Sequence, residues 1–113
     1  MIEAVLIDYL TNKTAAGAYV YAEVPADRPE SYIVIEKTGS TTENWITTST
    51  IAVRSIASSL LAAAALNEQV KAAMLASPEL DAIAACRLNS DYNFTDATSK
   101  QYRYQAVFQV THY

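Results

Sequence analysis

The segment from Gln101 to Tyr113 alternates with a period of two. Tyr102, Tyr104, Ala106, Phe108, Val110 and His112 fall on one side, and Arg103, Gln105, Val107, Gln109 and Thr111 on the other. Successive side chains of a strand point to opposite faces. One apolar and one mostly polar face therefore predicts an antiparallel sheet covered on one side only. The rest of the chain must supply both the remaining strands and the cover.

The cover is legible in Leu60-Leu61-Ala62-Ala63-Ala64-Ala65-Leu66, the stretch with the highest intrinsic helix preference in the chain. It predicts a helix over Ser58 to Ala76, capped by Ser58 and stopped by Ser77-Pro78. Leu60, Ala63, Ala64, Val70 and Met74 form a stripe that would dock on a sheet. Glu68 and Lys71, three apart, can pair on the solvent side.

A first helix is expected over residues 2 to 12, where Ile2, Val5, Leu6, Tyr9 and Leu10 recur at helical spacing. Ala18 to Val24 reads as a strand rich in Tyr and Val, ended by a turn at Pro25-Ala26-Asp27-Arg28-Pro29. Ser31 to Thr38 reads as a second strand, apolar on both faces. Residues 39 to 44 read as a polar loop, and Trp45 to about Ile56 as a third strand. Leu80 to Leu88 reads as a short fourth strand, followed by a polar and aromatic segment from Asn89 to Lys100. The expected fold is α+β in two layers. It has an antiparallel sheet of four to five strands, with two helices packed on one face. The order is helix, three strands, helix, two strands. At 113 residues, one domain spanning 1–113 is expected.

Composition excludes several classes. With 51% hydrophobic residues, 2 Gly and 3 Pro, the chain is neither disordered nor collagenous. A formal net charge of −4, with Lys and Arg scattered singly, argues against binding nucleic acid through its phosphates. One Cys forms no intrachain disulfide. Met1-Ile2-Glu3-Ala4-Val5-Leu6-Ile7-Asp8 lacks the basic start and unbroken apolar run of a secretory signal. The apolar window from Ile56 to Leu66 is too short for a membrane span. The expectation is a soluble protein made in a cytoplasm, with no membrane partner.

Motifs for catalysis are missing: there is no Gly-rich dinucleotide loop, Walker loop, H-E-x-x-H or Cys/His cluster. No catalytic residue, cofactor or metal is expected. His112, the only histidine, could serve as a base only with a partner in hydrogen-bond reach; the plainer reading is a strand-end residue near the surface. Cys86 lies among Ala84, Ala85 and Leu88, which suggests the core. Asp91 to Asp96 has the oxygen spacing of a calcium loop but lacks its Gly and its terminal Glu. Within it, Tyr92 and Phe94 either tuck back into the core or anchor another subunit. Trp45 is either packed at a strand start or an interface hot spot. Glu36-Lys37 and Asp27-Arg28 read as isolated charge pairs.

Three stretches together carry a family resemblance. They are Glu23-Val24-Pro25 with Tyr32-Ile33-Val34-Ile35-Glu36-Lys37-Thr38-Gly39, the helix Ala63 to Lys71, and Asn89-Ser90-Asp91-Tyr92-Asn93-Phe94-Thr95-Asp96 followed by Lys100 to Phe108. In order and in overall length the chain resembles the tail terminator (tail completion, head-tail joining) proteins of long-tailed bacteriophages and prophages. The resemblance implies a small antiparallel sheet with helices on one side. It implies a virion tail protein, assembled in the bacterial host cytoplasm. Such a protein caps the tail tube as a homo-oligomeric ring, commonly a hexamer, stops tube growth and offers a surface to the head-tail connector protein. Its partners would be itself, the tail tube protein and the connector, and it would need no cofactor.

A polar open sheet face, carrying Arg54 or Ser55 with Arg103, Gln105, Gln109 and Thr111, suits a wet lumen or a neighbouring subunit. The candidate contacts for a subunit or for the tail tube are Trp45, Tyr92, Phe94, Arg54 and Arg103. Two other readings stand beside this one. The first is a head-tail connector or minor capsid component. The second is a small α+β enzyme or ligand-binding subunit with a carboxylate pair such as Asp91 with Asp96.

Overall fold

In a computed structural model, described here for residues 2–14, 19–23, 30–93, 95 and 102–113, the first element is helix α1, Ile2–Thr11. Its apolar spacing turns Ile2, Leu6, Tyr9 and Leu10 inward. Its last carbonyls are taken up by side chains that follow. Thr11 Oγ1 donates to Ile7 O at 2.7 Å, Asn12 Nδ2 to Asp8 O at 3.0 Å and Thr14 Oγ1 to Leu10 O at 3.0 Å.

Strand β1 is only Val20–Tyr21, and it runs parallel to β2, Tyr32–Glu43. The sheet is therefore mixed rather than wholly antiparallel. The turn expected at 25–29 lies outside the described residues.

β2 and β3, Ile46–Ala57, form one long antiparallel hairpin with a bulge between Lys37 and Gly39. The polar loop expected at 39–44 is instead mostly strand. Ser40 lies opposite Ser49, Thr41 opposite Thr48 and Thr42 opposite Thr47. Threonine is β-branched and fits a pleated surface, and its hydroxyls pair across strands. Thr42 Oγ1 lies 3.0 Å from Thr47 Oγ1. Only Asn44 and Trp45 remain as the turn, so Trp45 is not a strand start.

Helix α2, Leu60–Leu75, is capped one residue later than expected: Ser59 Oγ accepts from Ala62 N at 3.2 Å. It ends at Ala76 and passes into a 3-10 turn, Ser77–Glu79, which Pro78 opens. The buried stripe is Ala63, Leu66, Asn67, Val70, Ala73 and Met74, so Leu60 falls on the exposed side. β4 is Ile83–Asn93 and β5 is Tyr102–His112. β4 continues past Leu88 because its polar residues lie on the sheet edge and still pair with β5, Ser90 with Val107 and Tyr92 with Gln105.

The sheet order is β1-β2-β3-β5-β4, and both helices lie on one face. There Ile33, Ile35, Ile51, Val53, Ala106, Phe108 and Val110 meet Leu6 and Leu10 of α1 and Leu66, Val70 and Met74 of α2. On the opposite face Tyr32, Val34 and Ile56 form a smaller cluster with Tyr21, whose ring meets Tyr32 edge-on at 6.3 Å. Phe108 sits fully buried at the centre of the larger cluster. Phe108→Ala is expected to lower stability by about 3–5 kcal/mol, read as a shift of the urea midpoint.

Candidate functional site

The antiparallel register carries one polar row across the face away from the helices. Arg54 of β3 lies opposite Gln105 of β5, which lies opposite Tyr92 of β4. Arg54 Nε donates to Gln105 Oε1 at 2.8 Å, and Gln105 Nε2 donates to the Tyr92 hydroxyl. On the other side Arg54 Nη1 reaches Glu36 Oε2 of β2 at 3.3 Å. Four strands are thus stitched by one chain of hydrogen bonds. The Gln105 amide accepts from a cation and donates to a phenol, which fixes its orientation. Buried or half-buried neighbours, Ala52, Ile56 and Val107, hold the row in place.

This settles the register question for the polar face: it carries Arg54, while Ser55 is buried beneath the helices. Glu36, which reads in sequence as part of an isolated pair with Lys37, is tied to Arg54 instead. Arg54 and Tyr92 are brought together in the row. Arg103 lies opposite Ile56, outside the row, and its backbone N–H and C=O are bridged by the Thr95 hydroxyl at 3.3 and 3.4 Å. Trp45 is far from all three, separated from Arg54 by roughly 30 Å of strand. Phe94 and Asp96 lie outside the described residues.

On the helix side Asp91 is committed to α2. Asn67 Nδ2 donates to Asp91 Oδ1 at 2.7 Å and Lys71 Nζ to Asp91 Oδ2 at 2.6 Å, while Lys71 also meets Glu68 at 2.7 Å. Burial pushes the Asp91 carboxyl up, but hydrogen bonds from Lys71 and Asn67, with the charge of Lys71, outweigh it and leave the group below its ordinary value. Hydrogen bonds to Asp91 and Glu68 raise Lys71. This contact escaped the sequence reading, in which only the Glu68–Lys71 spacing was visible. A polar Asn67 inside an apolar helical stripe was its one signal.

His112 is half-buried, and its Nε2 lies 2.8 Å from Ser49 Oγ. That is the reach of a base and a nucleophile, but Ser49 is wholly buried, with no space for a substrate at its hydroxyl. Cys86 is half-buried at the rim of the core rather than inside it. Burial pushes its thiol up, only partly offset by Ser77, so the thiolate is disfavoured. Among the described residues no group of three His, Cys, Asp or Glu is placed to hold a metal. Among them, too, no helix is long and apolar enough to cross a membrane.

The surface has two further features. Trp45 is 94% exposed and Leu61 on α2 is 85% exposed. A cleft of about 320 Å³ opens between α1 and the 3-10 turn, lined by Val5, Tyr9 and Leu80, with Asp8, Lys13 and Glu79 at the same site. Neither a family model nor any curated protein matches this chain.

The Asp91 tie makes stability depend on pH. A depressed carboxylate contributes fully above its ordinary value near ~4 and loses that contribution as pH falls through its lowered value. A raised lysine contributes below ~10.4 and loses its share as pH rises through its higher value. Asp91→Asn is expected to lower stability by about 1 kcal/mol at neutral pH. In an acid series of urea titrations the gap to the unmodified protein closes as Asp91 becomes protonated.

Proposed function

We propose that this protein is a structural subunit of a phage or prophage tail, a terminator that caps the end of the tail tube as an oligomeric ring. It acts by shape and surface rather than by making or breaking bonds. The resemblance of its sequence to such proteins suggests the role. The observation that carries it structurally is the polar row Glu36–Arg54–Gln105–Tyr92, whose groups satisfy one another across four strands. A face of this kind is stiff and hydrated and keeps its shape without a covering layer. It suits the wall of a wet lumen or the seat of a neighbour. With a formal net charge of −4, a lumen built from such chains does not grip passing DNA.

The ring would form on the tail tube protein and present its outer surface to the head-tail connector. Light scattering of the purified chain, alone and beside tail tube protein, is expected to show ring-sized assemblies; monomer under both conditions counts against the role. Electron microscopy of particles lacking the gene is expected to show overlong tubes or tails without heads. Normal tails and full infectivity would remove the proposal.

A further inference from the structure

The hairpin between β2 and β3 turns through Asn44 and Trp45, both at positive φ, 53° and 69°. Two-residue hairpin turns of this kind favour Asn followed by Gly, because the second position is left-handed too. Bulky L residues rarely adopt that conformation. Trp45 therefore occupies a glycine position, and at 94% exposure it gains no burial within its own chain in return. The fold alone does not call for it. A tryptophan displayed at the tip of a hairpin has the form of an interface anchor.

The same chain carries a complementary hole. Val5, Tyr9 and Leu80 wall the cleft between α1 and the 3-10 turn, and about 320 Å³ leaves room for a flat ring. Lys13 pairs with Glu79 at 3.3 Å and lies 5.8 Å from the centre of the Tyr9 ring. An indole entering along Tyr9 would find carboxylates of Asp8 or Glu79 for its N–H and the Lys13 ammonium against its face.

We propose that Trp45 inserts into this cleft on the next copy of the chain, as a head-to-tail contact. The contact rests on the ring reading above and names the surfaces that would build it. Repeated head to tail from copy to copy, the contact is heterologous, the type that closes into rings; exchanged reciprocally between two copies it would stop at a dimer.

The test measures assembly of the full chain by mass photometry, beside tail tube protein where that is needed to seed it. Trp45→Gly suits the turn, so it should melt no lower than the unmodified protein while associating at least about tenfold more weakly. Mixing Trp45→Gly, whose cleft is intact, with Val5→Arg, whose hairpin is intact, should give dimers and nothing larger. Undiminished assembly by Trp45→Gly, or no dimer in that mixture, overturns the contact and leaves the ring standing. Loss of tube binding alone in Trp45→Gly, with self-assembly kept, also overturns it by assigning the anchor to the tube. Monomer throughout for the unmodified chain, together with normal tails in its absence, overturns the contact and the ring alike.

Discussion

Everything in this fold depends on the register of β3 against β5. Ile51 faces Phe108 and Val53 faces Ala106, and on the reverse side of the same two strands Arg54 faces Gln105. A slip of one residue would turn Phe108 and Val110 to the open face and drive Gln105 and Gln109 beneath the helices. The hydrophobic layer and the polar row are thus two readouts of a single alignment. Neither can be rebuilt without the other, and the apolar side supplies most of the free energy that holds the polar side in order.

Besides packing, one polar contact ties the two helices together and another fastens α2 to the sheet. The Tyr9 hydroxyl donates to Ala73 O at 2.9 Å, joining α1 to α2, and Asp91 joins α2 to β4 through Asn67 and Lys71. Burial, helped by the nearby charge of Glu79, pushes the Tyr9 phenol up, so it stays a neutral donor. These ties set where α1 lies and therefore the width of the cleft beside it.

The C-terminal strand and α2 were legible in sequence because one rule governs each: strict alternation in one, dense helix formers in the other. The layers and the placement of both helices followed from them. The hairpin arm was misread because its Ser and Thr residues are polar, and polarity alone suggests a loop, whereas β-branching and cross-strand hydroxyl pairs favour a strand. The parallel sense of β1 rests on two residues, too few to leave a pattern. Of the interface candidates, Arg54 and Tyr92 share a row because alternation placed them on one face. Trp45 stands apart because its position depends on a turn that sequence polarity concealed.

The outer part of β2, from Lys37 to Glu43, gives little to the core, since each of its residues is exposed, whereas Ser49 and Ile51 opposite it on β3 are buried. The composition of that outer part is consequently free of the folding problem. Lineages carrying this scaffold could re-letter it to suit a different neighbour while the packed body stayed as it is, so divergence in fit need not come at the expense of a foldable chain.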